Sequence, residues 1–280
     1  MSKIEHMNPS VSLIISTYNW PKALNLCLKS VDNQTIVPNE VIIADDGSGL
    51  LTKQLIDKLR RNFKAPLIHV WHEDIGFRKT LILNKAVKRA SGQYIIQIDG
   101  DVILEENFVK DHLSVAENKT FIRGTRAHLE EKILSSIFKE ERIRFSCFNK
   151  GIKNRFNAFR IPALAWMFTK KKSSSRSVRG CNIAFWKHDF VAVNGYSNDL
   201  QGWGHEDQEL AARLVNSGVM KKGLKFKAVQ YHITHRVSPR TQQTKHELSL
   251  RKTLERKIKR CRNGYHEIQP VPHYPQLELV

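Results

Sequence analysis

Four short apolar runs, separated by segments of helical length, constrain the fold of this chain more than any other feature. The runs are Val11–Ile15, Val41–Ala44, Leu67–Trp71 and Tyr94–Ile98. Runs this apolar are typical of strands that are buried on both faces. The segments between them carry apolar residues at helical spacing. The alternation therefore predicts an α/β fold built on a mostly parallel central sheet.

Polar residues follow three of these runs at the point where each run ends. Ser16 and Tyr18 follow the first run, Asp45 and Asp46 the second, and Asp99-Gly100-Asp101 the last. The carboxyl ends of parallel strands share one edge, where open α/β sheets bind their ligands. Two carboxylates at such an edge predict a divalent cation held against substrate phosphates. A simple Asp-Gly turn without a ligand is the alternative.

Several classes of protein are disfavoured by what the sequence lacks. There is no GxGxxG after the first run and no GxxxxGKS/T motif, which argues against a dinucleotide dehydrogenase and a P-loop enzyme. The four cysteines are scattered without a CxxC pair, which argues against a zinc site or a disulfide framework. No apolar run reaches the ~18 residues of a membrane span, and Met1–Pro9 lacks the apolar core of a signal peptide. We expect a cytoplasmic protein, with peripheral attachment to the inner face of the cytoplasmic membrane left open.

The net charge of +19, from 46 basic and 27 acidic residues, indicates an anionic partner. Residues 142–179 hold 11 Lys and Arg and no acid, and residues 245–262 hold 8 against 2 acids. Aromatic residues alternate with the basic ones in the first stretch, which is typical of contact with an anionic membrane surface or a phosphorylated lipid. Single-stranded nucleic acid would suit the same pattern, although we expect no nucleic acid. An aromatic core with solvated charges is the remaining alternative.

The first half of the chain resembles the family 2 glycosyltransferases of GT-A fold. The resemblance is carried by Ile14–Asn19, Val41–Ser48 and Ile98–Asp101, in this order over roughly residues 10–105. It implies a nucleotide-sugar donor, usually a UDP-sugar. It also implies that the Asp99-Gly100-Asp101 triplet is the metal-binding DxD motif, with Asp101 as the direct ligand. The residues to which it assigns donor binding are Ser16, Tyr18, Asp46, Arg78, Asn84 and Asp99.

The second half carries a more specific match. Asn194-Gly195-Tyr196 followed by Gly202–Asp207 is similar to the C-terminal half of β-1,4-galactosyltransferases and bacterial chondroitin-type polymerases, whose motif is GWGxED. The similarity implies that Asp207 is the catalytic base. It also implies that the residues in contact with sugar or acceptor are Trp203, Gly204 and Glu206. Read without the resemblance, these acids simply complement the N-terminus of a helix predicted over about Glu206 to Asn216.

The resemblance also implies metal ligands near the end of the last predicted strand, Val229–His235. Galactosyltransferases place a ligand pair at i and i+3 there, and His232 and His235 have this spacing. Imidazole is a common metal ligand, and a mixed set with Asp101 would favour Mn²⁺ over Mg²⁺. A pair of surface or core histidines is the alternative. His205 stands where the galactosyltransferases usually carry glycine.

These observations predict one catalytic domain followed by a tail. The GT-A domain spans 1–238, with a nucleotide-sugar half at 10–105, a basic aromatic insert at 121–178 and an acceptor half at 179–236. Residues 239–280 form a basic helical tail. Its helix is predicted over Thr241–Arg262, and it packs either on a membrane or on the catalytic domain. The residues on one face of this helix are Leu250, Leu254, Ile258 and Cys261.

The predicted function is an inverting, metal-dependent transfer of a hexose or N-acetylhexosamine, with Gal or GalNAc favoured. Direct attack by an acceptor hydroxyl needs one base, and departure of a nucleoside diphosphate needs charge neutralisation by a metal. The expected acceptor is a glycan or lipid-linked glycan of surface polysaccharide or lipopolysaccharide synthesis. The alternatives are another donor (UDP-Glc, UDP-GlcNAc or a dTDP-sugar), or a non-catalytic basic module that binds membrane or nucleic acid on a degenerate GT-A fold.

Overall fold

An eight-stranded mixed sheet forms the centre of the protein. A computed structural model describes residues 9–235 and 242–268. The strand order of the sheet is β3-β2-β1-β4-β10-β6-β11-β9. Its strands are β1 (Val11–Thr17), β2 (Glu40–Asp45), β3 (Leu67–Trp71), β4 (Tyr94–Asp99), β6 (Thr120–Arg123), β9 (Lys171–Lys172), β10 (Asn182–Trp186) and β11 (Met220–Gly223). The four predicted apolar runs are thus all strands of this sheet.

The first four strands run parallel, and their register brings the predicted polar residues to one edge. Ser16 at the end of β1 lies opposite Ala44 of β2 and opposite Asp99 of β4. Ile14 and Ile15 of β1 face opposite sides of the sheet and are completely buried. Because both faces are covered, the strand could be recognised by its unbroken apolar character rather than by alternation.

Helices cover both faces of the sheet. The helices are α1 (Pro21–Asp32), α2 (Leu50–Arg60), α3 (Lys79–Arg89), α4 (Phe108–Leu113), α5 (Leu134–Glu140), α6 (Lys187–Ala192), α7 (Glu206–Asn216) and α8 (Gln243–Glu255). The apolar sides of α1, α2 and α4 pack on one face of the sheet. Those of α3, α6 and α7 pack on the other. None of the helices in the described part of the chain has the length and apolar composition that a bilayer crossing requires.

The basic insert contributes a strand to the interior of the central sheet. Strand β6 lies inside the sheet, paired antiparallel with β10 and parallel with β11. Phe121 and Ile122 are completely buried there. The short strand β9 pairs with the other side of β11, so the edge lies in the basic insert. Long-range pairing of this kind has no signal in the local sequence.

A smaller sheet lies beside the ends of the central strands. Its order is β5-β12-β7-β8, and the strands are β5 (Val102–Leu104), β7 (Ala127–Leu129), β8 (Ile152–Lys153) and β12 (Gln230–Ile233). His232 of β12 pairs with Val102 and with His128. The backbone nitrogen of Ile233 donates a hydrogen bond to the carbonyl oxygen of Asp101, at 2.8 Å. The small sheet therefore brings the predicted histidines to the DxD motif.

The tail helix is shorter than predicted, and its described part is not a separate appendage. Helix α8 ends at Glu255, so Ile258 and Cys261 lie beyond it, and Leu254 is about half exposed. The residues of α8 that are buried are His246 and Thr253. Thr253 Oγ1 donates to Glu209 of α7 at 3.1 Å. Polar contacts, rather than the predicted apolar face, thus hold α8 on α7.

Within the basic insert, a short 3-10 turn at Glu131–Ile133 is followed by α5 (Leu134–Glu140). The left-handed conformation of Glu141, with φ 48°, ends that helix. The boundary between the predicted domain and tail at 238/239 lies outside the described residues, as does the start of the predicted tail helix at Thr241.

Candidate active site

A cleft of about 720 Å³ opens at the carboxyl edge of the parallel strands. All the predicted site residues except Arg78 and Asn84 line it. They are Ser16, Tyr18, Asp46, Asp99, Asp101, Trp203, Gly204, Glu206, Asp207, His232 and His235. The structure thus brings together residues from β1, β2, β4, α7 and the small sheet, as expected for the ligand edge of an α/β sheet.

Arg78 and Asn84, which were also predicted to bind the donor, are not among the residues that line the cleft. Asn84 is completely buried on α3. Its side chain donates to the carbonyl oxygen of Tyr196 at 2.8 Å and accepts from the Tyr196 nitrogen at 2.9 Å. The guanidinium of Arg78 donates to the carbonyl oxygen of Glu73. Asn84 therefore holds the loop that carries Tyr196, and Arg78 braces the chain before α3.

Asp46 and Tyr18, both predicted to bind the donor, line the cleft. Asp46 is buried, and its Oδ1 lies 2.6 Å from Nε2 of His72. Its Oδ2 accepts from the backbone nitrogen of Arg78 at 2.9 Å. Tyr18 is half exposed, and its hydroxyl donates to Asp74 Oδ2 at 2.8 Å. A fixed carboxylate beside an exposed ring is an arrangement that suits a planar base.

Lys79 lies in the cleft and was missed by the sequence analysis. Its Nζ lies 2.6 Å from Oδ1 of Asp99, which also accepts from Ser16 Oγ at 2.7 Å. Although burial opposes ionisation of Asp99, the Lys79 ammonium lowers the pKa of that carboxyl. Burial likewise opposes the charge of Lys79, but Asp99 raises its pKa above the ordinary value. The Lys79 ammonium is therefore a fixed cation beside Asp99. Lys79 directly follows Arg78, which was predicted to bind the donor.

Asp101, His232 and His235 form a group that fits a divalent metal ion. Their ligand atoms all lie within 4.8 Å of one another. Oδ2 of Asp101 is 3.0 Å from Nε2 of His235 and 3.4 Å from Nε2 of His232. Oδ1 of Asp101 is buried without a hydrogen-bond partner among the described residues, so it has an unused acceptor. Burial lowers the pKa of His232, and a lower pKa favours the neutral imidazole that a metal ion requires.

Asp207 is held at the start of α7 by two hydrogen bonds. Its Oδ2 accepts from the backbone nitrogen of Gly180 at 2.6 Å, and its Oδ1 accepts from the Tyr196 hydroxyl at 3.1 Å. Burial, and after it the neighbouring Glu206 carboxylate, raise the pKa of Asp207 to about 7. A carboxyl with a pKa near neutral pH is well matched to accept a proton from a hydroxyl.

Gly180 is required for this arrangement. A Cβ at position 180 would lie 2.5 Å from Oδ1 of Asp207 and 2.8 Å from Nε2 of Gln97. The backbone can therefore approach the carboxylate only where no side chain is present. The sequence around Gly180 gives no signal of this contact, because Asp207 lies 27 residues further along the chain.

Tertiary contacts also fix the loop that carries the GWGHED motif. His205 adopts a left-handed conformation with φ 59°, which is the conformation that favours glycine. The buried ring of His246, on α8, contacts the carbonyl oxygens of Gly204 and Gln201, the latter at 2.9 Å. The tail that was predicted as an appendage therefore supports the loop of the candidate active site.

A buried arginine on α7 fixes the neighbouring loop. Arg213 is completely buried and donates to the carbonyl oxygens of Val193 and Gly195, both at 2.6 Å. Its charge is paired with Glu209 at 2.6 Å. Because Tyr196 follows directly, this network sets the position of the hydroxyl that contacts Asp207.

Comparison with known proteins agrees with this geometry. A family model described as glycosyl transferase family 2 matches residues 12–170, more than half of the chain. The chain belongs to glycosyl transferase family 2. A second model, described as the N-terminal domain of galactosyltransferase, matches residues 160–237. The two matches overlap at residues 160–170, within the basic insert. Together they confirm both halves of the predicted resemblance.

Among relatives of this family 2 chain is validoxylamine A glucosyltransferase of Streptomyces hygroscopicus subsp. limoneus. It is 26% identical over 227 residues, which are 75% of this chain and 49% of that protein. Chondroitin synthase of Pasteurella multocida is 37% identical over 105 residues, which are 38% of this chain and 11% of the synthase. The chain thus spans about half the length of the glucosyltransferase and about a tenth of the length of the synthase.

Solved structures show that the family 2 chain has the GT-A fold. S. aureus TarS 1–349 in complex with UDP matches with a TM-score of 0.60 at 16% identity, over 92% of this chain and 68% of that one. GalNAc-T7 with UDP, GalNAc and Mn²⁺ matches with a TM-score of 0.61 at 15% identity, over 82% of this chain and 44% of that one. At these identities the likeness concerns the fold alone.

Proposed function

We propose that this protein is an inverting glycosyltransferase that moves Gal or GalNAc from a UDP-sugar to a glycan acceptor. The proposal rests on one observation: a candidate base and a candidate set of metal ligands line the same cleft. The candidate base is Asp207, whose pKa is raised to about 7. The candidate ligands are Asp101, His232 and His235. The match of residues 160–237 to a galactosyltransferase model supports the choice of sugar. The expected acceptor belongs to surface polysaccharide or lipopolysaccharide synthesis.

Asp207 accepts the proton of the attacking acceptor hydroxyl in this mechanism. The Gly180 nitrogen and the Tyr196 hydroxyl orient its carboxylate, and Glu206 beside it accepts hydrogen bonds from sugar hydroxyls. The indole of Trp203, about one-third exposed in the cleft, offers a flat apolar face to a sugar ring. A single displacement with one base inverts the configuration of the anomeric carbon.

The donor is held by a second group of residues in the same cleft. Asp46 and Tyr18 bind the nucleoside, and Lys79 presents an ammonium beside Asp99, where the diphosphate arrives. Asp101, His232 and His235 would hold a divalent metal ion, and their mixed oxygen and nitrogen donors would favour Mn²⁺ over Mg²⁺. When bound, the metal neutralises negative charge on the departing diphosphate.

A thermal-shift screen tests the donor. The sugars to compare are UDP-Gal, UDP-GalNAc, UDP-Glc, UDP-GlcNAc, dTDP-glucose and GDP-mannose, each with Mn²⁺ and with EDTA. We expect the largest rise in Tm with UDP-Gal or UDP-GalNAc in Mn²⁺, and its loss in EDTA. A ligand at about a hundred times its Kd stabilises by roughly 2.7 kcal/mol, which is several degrees in Tm. The absence of a shift with every nucleotide would favour the non-catalytic basic module instead.

Another donor is the main alternative within the family. One relative is named a glucosyltransferase and another a poly-β-1,6-N-acetyl-D-glucosamine synthase. A larger Tm shift with UDP-Glc, UDP-GlcNAc or the dTDP-sugar would therefore keep the fold, the metal group and the base, and change only the sugar. Product analysis by NMR then shows whether the anomeric configuration is inverted.

We also propose that the basic insert contacts an anionic membrane surface. Three aromatic side chains stand out from it: Phe148, Phe156 and Trp166 are 79%, 73% and 70% exposed. Residues 142–179 add 11 basic residues and no acid. Arg126, which is itself part of the insert, lines the cleft, and Asn157 donates to its carbonyl oxygen. A lipid-linked acceptor held at this surface would thus lie close to the active site. The basic side chains of residues 251–260, at the end of α8 and just after it, are also exposed.

Sedimentation with lipid vesicles tests this contact. We expect binding to phosphatidylcholine vesicles only when they contain phosphatidylglycerol, and a loss of binding at high salt. The double substitution Phe148→Ser and Trp166→Ser should weaken binding by about tenfold or more, since each ring buries apolar area in the interface. Leu51→Ser is the matched control, because Leu51 is 71% exposed on α2, outside the insert. Equal binding by the double variant and the control would contradict the proposal.

A further inference from the structure

Two arginines line the cleft, and neither has an acidic partner among the described residues. Arg126 and Arg179 are both part of its wall. Nη1 of Arg126 donates to Sγ of Cys181 at 3.3 Å, and its Nε is buried without a hydrogen-bond partner in the described residues. The arginines that form ion pairs within residues 9–235 and 242–268 are Arg60, Arg160, Arg213 and Arg251. Neither cleft arginine is among them.

The groups around the pair do not neutralise it. Burial raises the pKa of the Cys181 thiol to about 11, so Arg126 faces a neutral sulfur. Arg123 lies nearby, and burial together with Arg179 lowers the pKa of its guanidinium, which shows that like charges face each other here. His128 also lines the cleft, and burial followed by the charge of Arg126 lowers its pKa to about 4, so its imidazole is neutral and adds no charge. Cations gathered in this way indicate that an anion completes the site.

The cleft carboxylates are already engaged elsewhere. Asp99 pairs with Lys79, Asp101 belongs to the metal group, and Asp207 accepts from Gly180 and Tyr196. The donor diphosphate has its own partners in the metal group and Lys79. In the proposed function this leaves the two arginines for an anion of the acceptor.

The position of the pair points to the acceptor. Arg179 directly precedes Gly180, whose nitrogen binds the carboxylate of Asp207. Arg126 belongs to the basic insert, where Asn157 donates to its carbonyl oxygen at 2.9 Å. Both arginines line the same cleft as Asp207, so an acceptor that presents a hydroxyl to Asp207 occupies the cleft in which the two guanidinium groups lie.

We propose that Arg126 and Arg179 bind a carboxylate or phosphate of the acceptor, so that the acceptor is an acidic glycan. The inference rests on the proposed function and names its acceptor class. Arginine suits this task because its planar fork of donors matches both anions. The acidic group fixes the orientation of the acceptor sugar, and the hydroxyl that attacks is then the one directed at Asp207.

Pairs of probes that differ only in charge test the inference on the full chain with UDP and Mn²⁺. p-Nitrophenyl β-D-glucuronide is compared with p-nitrophenyl β-D-glucoside, and glucose 6-phosphate with glucose, by saturation-transfer NMR titration. We expect the acidic member of at least one pair to bind about tenfold more tightly or better, as for a hydrogen bond to a charged group. The uronide pair reports a carboxylate site and the phosphate pair a phosphate site. Equal binding, or no binding, within both pairs would overturn the inference.

Substitutions assign the effect to the arginines. Arg126→Gln and Arg179→Gln should each remove most of the preference for the acidic probe, and Arg179→Lys should retain part of it. Arg176→Gln is the matched control, since Arg176 is exposed in the same segment and does not line the cleft. Weaker UDP binding in the two cleft variants, with the probe preference unchanged, would assign the arginines to the donor and contradict the inference. If no UDP-sugar binds to the unsubstituted protein, the proposed function itself fails, which is a different result.

Discussion

Asp207→Asn should lower the rate of sugar transfer by about 10²- to 10⁴-fold, the usual contribution of a general base. The amide cannot accept a proton from the acceptor hydroxyl. Its carbonyl oxygen can still accept from the Gly180 nitrogen, which Asp207 Oδ2 meets at 2.6 Å, so the fold of the loop should persist. The affinity for UDP with Mn²⁺, measured by calorimetry, should change by less than about twofold because Asp207 does not hold the donor.

A matched substitution controls for the change of charge. Asp199→Asn removes one carboxylate from an exposed position outside the cleft, where Asp199 accepts from Asn263 at 2.7 Å. Its transfer rate should equal that of the unsubstituted protein. Transfer by Asp207→Asn at the full rate would show that another group is the base.

The pH profile of the unsubstituted enzyme follows from the same carboxyl. Only ionised Asp207 can accept a proton, and burial with the Glu206 charge raises its pKa to about 7. The rate should therefore level off above pH 7 and fall about tenfold for each pH unit below it. In Asp207→Asn the residual rate should lose this dependence. A rate of the unsubstituted enzyme that stays constant between pH 5.5 and 8 would contradict the assignment.

Removal of the metal ligands should abolish Mn²⁺-dependent donor binding. Asp101→Asn and His235→Ala each take one ligand from the group whose atoms lie within 4.8 Å of one another. Loss of a supporting partner alone costs about 10- to 100-fold in metal affinity, so we expect at least a hundredfold loss for a direct ligand. Electron paramagnetic resonance of free Mn²⁺ measures this affinity without an assay of transfer.

His188→Ala is the control for the histidine substitution. The His188 side chain is 60% exposed on α6, away from the cleft. Its variant should bind Mn²⁺ as the unsubstituted protein does. The unsubstituted protein and His235→Ala should also differ in UDP affinity only when Mn²⁺ is present. Equal Mn²⁺ affinity in all variants would place the metal elsewhere.

The fold of the first hundred residues was readable from the sequence because local chemistry and tertiary structure agree there. Strands that are buried on both faces must be apolar along their whole length, as Leu13, Ile14 and Ile15 are. Their order along the chain alternates with helices, which leaves few arrangements other than a parallel sheet. Ser16 and Asp99 follow two such strands, so their meeting at the ligand edge could be predicted before any coordinate was known.

The sequence by itself thus determined the α/β class, the family and the residue types of the cleft, since each depends on a short motif or a local pattern. Only the tertiary structure decided which residues meet across long separations. Lys79 was found through its pairing with Asp99, and Gly180 through its contact with Asp207. Asn84 matched a motif but proved to be buried under the Tyr196 loop. The physical reason is that a side chain's role depends on its direction and its partners, and the packing of distant segments sets both.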